Sequence, residues 1–484
     1  MTPSKRVVQA GIVFTLLCGA ALTAGGGELV FDDGFGSGDL WAWSDFVGGT
    51  TAVGPCPCEI LFPGTEFFVD PINGSDITGD GSQGNPWASI QFVVDTKVDC
   101  TDQHGTPHNP GAPIKGGDAI VLVGAAGHDE ILEITGRYNS SWVTIRAQTM
   151  HQPVFSFVHF RGSSFWRLDG LSFFNNGAGT MLRIEDHGTQ GPVGHVEFVN
   201  NHFTSGALPT IQNWIDHVSD GMRLYSSDGP VVVRCNELVN VAMGFVVGGD
   251  NMDLIGNTVE YFSRDGIATG GHFNRFVGNR IYDSVKLGDG HHDDFFQSHM
   301  GANPDTSSDV EITGNIFMNR YGPGQPADSL GATQCLSGFE DGPKTRLRIT
   351  NNVCKGDHWH GITWYDTNNS VIVNNTAVGG SDFAGLPPGS SGWPDYSWIS
   401  IQGTGNTIRN NITTRNLSGG ENNIEIQSGE ENLYFSNWLG LDLSLALGSP
   451  AIDTGNPDGA TTHDVEGTPR DAQPDVGAYE FTPP

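Results

Sequence analysis

Val196-Glu-Phe-Val-Asn-Asn-His-Phe203 sets a pattern that the chain repeats: apolar-x-apolar-x, then Gly or Asn, then Asn, then a further apolar residue two positions on. It returns as VVVRCNEL ending at Leu238, MDLIGNTV at Val259, NRFVGNRI at Ile281 and VEITGNIF at Phe317. Three more copies, LRITNNVC, SVIVNNTA and NTIRNNIT, end at Cys354, Ala377 and Thr413. The asparagines at 201, 236, 257, 279, 315, 352, 375 and 411 are 35, 21, 22, 36, 37, 23 and 36 residues apart, a coil of about 22 residues with insertions. Short alternating strands at that period predict a solenoid. Asn tolerates a left-handed turn, and stacked carboxamides can hydrogen-bond from coil to coil. The Leu-rich consensus and helix of leucine-rich repeats, which share the period, are missing.

The pattern resembles the pectate-lyase-like superfamily of right-handed parallel β-helices, over roughly residues 65–440. The resemblance implies an all-β, single-stranded right-handed parallel β-helix with an N-terminal cap and a C-terminal tail. FFVDPINGSD from Phe67, with Asn85-Pro-Trp-Ala-Ser-Ile90, resembles the opening of exported bacterial β-helix proteins, and Gly448–Phe481 resembles their ends. The domains expected are a signal peptide at 1–24, a Gly-rich linker at 25–64, the β-helix at 65–440 and a capping tail at 441–484, the ends covering exposed edge strands. Strands are expected within Lys115–Val123, Trp142–Arg146 and Phe165–Phe174.

Composition narrows the partners. The formal charge of −32 argues strongly against nucleic acid, whose phosphates need Lys and Arg, and disfavours polyanions unless a local basic patch or bound cations offset the field. Lys5 and Arg6 ahead of the apolar run Ala10–Leu22 read as a secretory signal too short to span a bilayer. The expectation is a secreted, soluble monomer. Beyond Cys18 in that run, the six cysteines 56, 58, 100, 235, 335 and 354 permit up to three disulfides, with the pairing open.

Insertions at 205–219, 282–292 and 318–333 fall at one corner of the coil, and such insertions wall the binding face of a solenoid. The middle one runs into Asp289-Gly-His-His-Asp-Asp-Phe-Phe-Gln-Ser-His299, where imidazoles and carboxylates concentrate. Aligning the following strands on Gly221, Gly244, Gly266 and Gly361 puts Asp294 and Leu336 in the glycine column. The column before it then reads Asp220, Met243, Asp265, Asp293, Cys335, His360, and the one before that Ser219, Ala242, Arg264, His292, Gln334, Trp359. Four residues after the start come Tyr225, Gly248, Gly270, Ser298, Glu340 and Tyr365.

The resemblance supplies a reaction class, the cutting or epimerising of acidic polysaccharides, which demands a base for the C5 proton of a uronic acid and neutralisation of its carboxylate. His292 is the expected base, oriented by Asp293 or Asp294. His358 and His360 are second candidates, and Tyr365 or Tyr225 a proton donor. Arg264, Lys286, Gln297, Lys344 and Trp359 are expected to bind substrate, and Asp265, Asp289, Glu340 and Asp341, with the aspartates at 293 and 294, could ligate Ca2+. The Asp-Pro-His of alginate epimerases and the Gly-His-Gly of polygalacturonases are absent. A glycoside hydrolase pairing Asp293 or Asp294 with Glu340, or a non-catalytic glycan-binding surface protein, are the alternatives.

Overall fold

The computed structural model describes residues 64–125, 128, 131–177, 179–226, 228–299, 306–320, 326, 333–339, 342–356, 358–379, 396–415, 417 and 419–483. The expected signal peptide and nearly all of the linker lie outside these residues. So do Cys56, Cys58, Glu340 and Asp341. Among the described residues, no helix is long and apolar enough to cross a membrane.

The chain winds into a parallel β-helix, its crossovers of the right-handed kind usual for parallel strands. Each coil contributes a strand to each of three faces. The first face stacks Thr180–Glu185, Asp220–Tyr225, Phe245–Val247, Asp265–Thr269, Asp293–Ser298, Thr333–Gly338, His360–Trp364 and Trp398–Ile401, every neighbour parallel. The second carries the VEFV-type strands of the repeat from Gly194–Val199 to Thr407–Arg409. The third runs through eleven short strands, from Val154–Phe155 to Ile424–Glu425.

An asparagine ladder sets the turn between the second and third faces. Each Asn Nδ2 donates to the Oδ1 of the next Asn along the axis at 2.9–3.0 Å, from Asn201 through 236, 257, 279, 315, 352, 375 and 411. A last rung, Asn423, follows after only twelve residues, too short an interval for the sequence period to mark. The left-handed position is the residue before the ladder Asn: Asn200 (φ 55°), Gly256 (61°), Gly278 (65°) and Asn351 (54°). That is why the repeat alternates Gly and Asn there. Cys235 holds the same conformation at φ 56°.

Two long strands replace the short ones expected near the N-terminus. Ile131–Ala147 and Phe157–Asp169 pair along most of their length, with a register shift between Tyr138 and Val143 that lets each strand continue from the first face onto the second. The helix Ile90–Thr96, capped by the Ser89 hydroxyl, buries Ile90, Val93 and Val94 in the core at the first rungs. The tail lies along the third face as well as following its last strand. Val465, Val476 and Ala478 pack on the outward side chains Met318, Val353, Val378 and Ile412, while Asn351, Asn374 and Asn410 bond to tail backbone. Cys335 and Cys354 form a disulfide across the coil, Cys235 is disulfide-bonded, and Cys100 is a buried free thiol.

Candidate functional site

The first face differs from the glycine alignment by one residue at two rungs. Ile267 pairs with Phe296 and Phe296 with Leu336, so Phe295 and Cys335, not Asp294 and Leu336, share the column of Gly221, Gly244, Gly266 and Gly361. The physical reason is a corner. A Cβ on Gly244 or Gly266 would run into Val259 or Ile281 of the core, so the side chain at this position points inward, as does that of the next residue. Phe295 and Phe296 are therefore both fully buried. The outward column just before the corner reads Asp220, Met243, Asp265, Asp294, Gln334, His360, with Asp294 and Gln334 where Asp293 and Cys335 were expected. The column before that holds Asp293 and Thr333 in place of His292 and Gln334. His299 and Phe339 replace Ser298 and Glu340 in the last.

The corrected register creates a compact polar cluster. Asp265 and Asp294 are direct partners on adjacent rungs, whose backbones lie about 4.8 Å apart. The Asp294 N–H donates to Asp265 Oδ1 at 3.1 Å. His292, outside the strand and 62% exposed, reaches back so that its Nδ1 meets Oδ2 of the fully buried Asp294 at 2.9 Å. Lys286 pairs with Asp293 at 3.2 Å. On the next rungs Gln334 Oε1 meets His360 Nδ1 at 2.8 Å, and His358 Nδ1 accepts from the His360 N–H at 3.1 Å.

Burial and like charge govern the titration. Burial, reinforced by the Asp294 charge, pushes Asp265 well above the usual carboxylate range. Burial raises Asp294 too, against the lowering bond from His292. Asp293 is pushed up to about 7 by burial despite Lys286. The bond to Asp294 raises His292 above its ordinary value. Burial drives His358 down to about 3 and His360 to about 4, so both are neutral imidazoles at neutral pH.

The cluster stands at one end of a groove of about 780 Å3 that runs toward the N-terminal rungs. The first two insertions build its wall. Helix Ile211–His217, capped by Thr210, buries Trp214 against Val285, with Leu287 alongside. Tyr225, Arg264, Asp265, Asp289 and His299 line it. Gln297 is half-buried in an outward row of the floor, and Trp359 and Tyr365 stand on the C-terminal rungs. Lys344 is not presented to the groove: it is fully buried in a short strand joining the first and second faces, its Nζ donating to Gly342 O. Among the described residues no three His, Cys, Asp or Glu side chains are arranged to hold a metal ion.

Sequence reasoning missed Arg183, Arg223, Phe339 and Trp398, all on the same face. Their positions become visible only once the register is known, because alternate residues of each strand face out.

No family model matches the sequence, and no curated protein does. Among solved structures the chain is similar to pectate lyase Pel9A, at 16% identity and a TM-score of 0.47 over 87% of this chain and 97% of that one. It is also similar to XylC, solved in complex with xylose, at 8% identity and a TM-score of 0.43 over 86% and 98%. A third likeness is to the PL6 family polysaccharide lyase Pedsa3628 from Pseudopedobacter saltans, at 11% identity and a TM-score of 0.31 over 65% and 84%. The parallel β-helix itself rests on the strand pairings above.

Proposed function

We propose that this chain is a secreted carbohydrate-active enzyme that removes the C5 proton of a uronic-acid residue, as a polysaccharide lyase or C5-epimerase. The observation that carries the reading is the exposed His292 held through Nδ1 by the buried Asp294 carboxylate at the end of a walled groove. That bond fixes the tautomer and leaves Nε2 on the solvent side, where a bound sugar arrives. His292 Nε2 takes the proton. Arg264, exposed beside it, balances the charge that moves onto the sugar carboxylate. Asp265, whose carboxyl burial and the Asp294 charge push well above the usual range, faces the groove and serves as the proton donor for the leaving oxygen. Calcium remains part of the proposal with the exposed Asp289 as its one described ligand candidate on the groove lining, and no step here passes through it. Exhaustive chelation is expected to lower substrate affinity, read as a higher KM; unchanged kinetics would remove calcium from the account.

The test is a screen of alginate, polygalacturonate and glycosaminoglycans for the ultraviolet absorbance of an unsaturated uronate. A hydrolase is the second reading, favoured by the adjacency of Asp265 and Asp294, because retaining glycosidases hold their carboxyls about 5 Å apart. New reducing ends without that absorbance would establish it.

The pH profile follows from the same bond. A base must be neutral, so activity rises with pH through the His292 value, which Asp294 holds above the ordinary imidazole value of about 6.5. In Asp294→Asn the charge is gone, and the acidic limb is expected to move to lower pH while maximal kcat falls. A limb that stays put in that variant would assign it to another group.

A further inference from the structure

The outward surface of the first face, of which the groove is the N-terminal part, changes chemistry along the axis on either side of the cluster. In one outward row Arg183 pairs with Arg223, Arg223 with Val246, Val246 with Ala268 and Ala268 with Gln297. Arg161 stands in the neighbouring row, paired in register with Glu185. On the N-terminal rungs three guanidiniums thus share two carboxylates. Glu185 holds Arg161 at 3.0 Å and Arg183 at 2.5 Å, and Asp220 holds Arg223 at 2.7 Å. The three arginines are 37–43% exposed, so N–H groups remain for an anionic ligand.

The C-terminal rungs carry rings instead. Phe339 lies 4.7 Å from His360 and 5.4 Å from Tyr365, and Trp398 lies 5.4 Å from His360. The Trp398 Nε1–H donates to Thr363 Oγ1 at 2.9 Å, which fixes the indole over the outward surface of the strand. Trp359, edge-on to Trp398, is 38% exposed. The guanidinium at this end, Arg415, lies over the Tyr396 ring at 4.7 Å. Between the two ends the floor drops to Val246 and Ala268, with Gly248 and Gly270 one row over. Asp265 and the His292–Asp294 pair stand beside this low stretch.

We propose that the first face, from the groove to the rings beyond the cluster, binds a mixed glycan in a single polarity. A uronate lies among Arg161, Arg183 and Arg223, a neutral sugar lays its apolar face on the platform of Phe339, Tyr365, Trp359 and Trp398, and the reacting linkage sits between them. The inference rests on the groove being the glycan site and names the substrate as a polymer in which uronate and neutral sugars alternate. Planar guanidiniums match carboxylates with paired N–H donors, whereas exposed ring faces take C–H surfaces. A homopolymer of uronates would put a carboxylate against the rings.

The test is calorimetric binding by the full chain in a His292→Ala background, which holds substrate uncleaved. The probes are polygalacturonate and alginate (all uronate), a soluble β-glucan (all neutral), and hyaluronan and rhamnogalacturonan backbone (alternating). At least one alternating polymer is expected to bind about tenfold more tightly than either class of homopolymer. Arg223→Ala, with Arg223→Gln as the milder variant, is expected to weaken it about tenfold and flatten its salt dependence. Trp359→Ala is expected to weaken it similarly without changing the salt dependence. The inference is overturned if a polyuronate binds as tightly and ignores Trp359→Ala, or if no alternating polymer binds above the β-glucan. If the binding pattern holds but the native chain releases no product, the proposed reaction fails and the polarity stands. If instead the chain turns over a pure polyuronate and neither variant affects that turnover, the reaction stands and the polarity fails.

Discussion

His292→Ala is expected to lower kcat on the cognate polysaccharide by about 10²- to 10⁴-fold, the usual range for a lost general base. The side chain is mostly exposed and its one described bond goes to Asp294, so its removal deletes little packing. The Asp294 carboxyl left behind is already pushed toward its neutral form by burial, which limits the cost of losing its partner. The unfolding free energy is therefore expected to change by less than about 0.5 kcal/mol, as for ordinary surface substitutions. Added imidazole should restore part of the lost rate, a readout that a purely structural role would not show. Full activity in the variant would move the base to His358 or His360, which burial holds neutral on the coil two rungs along.

Asn279→Ala is expected to be the most damaging single substitution for stability. Asn279 Oδ1 accepts from both the N–H and Nδ2 of Asn257, and its Nδ2 donates to Leu254 O and Asn315 Oδ1. Truncation strips the buried Asn257 N–H and Leu254 O of this partner, each worth about 1–3 kcal/mol when left unpaired, while Asn257 Nδ2 keeps Val233 O and Asn315 Oδ1 keeps the residue-279 N–H. The expected loss is on the order of 3 kcal/mol or more, read as a lower denaturant midpoint. In a solenoid each rung contacts only its neighbours, so hydrogen exchange should rise first in the rungs carrying Asn257 and Asn315. Asn279→Asp adds a pH signature. A buried carboxyl facing two carbonyl oxygens has its folded pKa raised. The variant is penalised least below the unfolded value of about 4, and loses stability as pH rises from there through the raised folded value. An unchanged midpoint in both variants would show the ladder to be incidental.

The ladder was also what made the fold legible. A residue that must be left-handed, followed by one that must be Asn, leaves a mark at every turn whatever the strands between them contain. The corner of the first face leaves none. The inward position there is Gly where Leu238, Val259 or Ile281 fills the space from the third face, Phe295 where an aromatic core does, and Cys335 where a disulfide crosses to Cys354. Alignment on glycine therefore slips by one at the two rungs that matter most, and a slip of one exchanges inward for outward side chains. His292 survived the slip because it lies outside the strand and reaches back into it. Asp294 and Gln334 took the outward places expected for Asp293 and Cys335. Lys344 looked available from its place in the chain but lies in a junction strand with no solvent contact. The arginines and Trp398 carry no local signature, since single residues in separate coils meet only through the register.

The measurement that bears most directly on the central claim is a proton NMR time course of uronic-acid polysaccharides incubated with the native chain in heavy water. Abstraction of the C5 proton predicts either a vinylic H4 signal from an unsaturated uronate or loss of the H5 signal as deuterium enters at C5, and the absence of both in His292→Ala. New reducing-end signals with H5 intact and no vinylic proton would contradict proton abstraction and make Asp265 and Asp294 a hydrolytic pair.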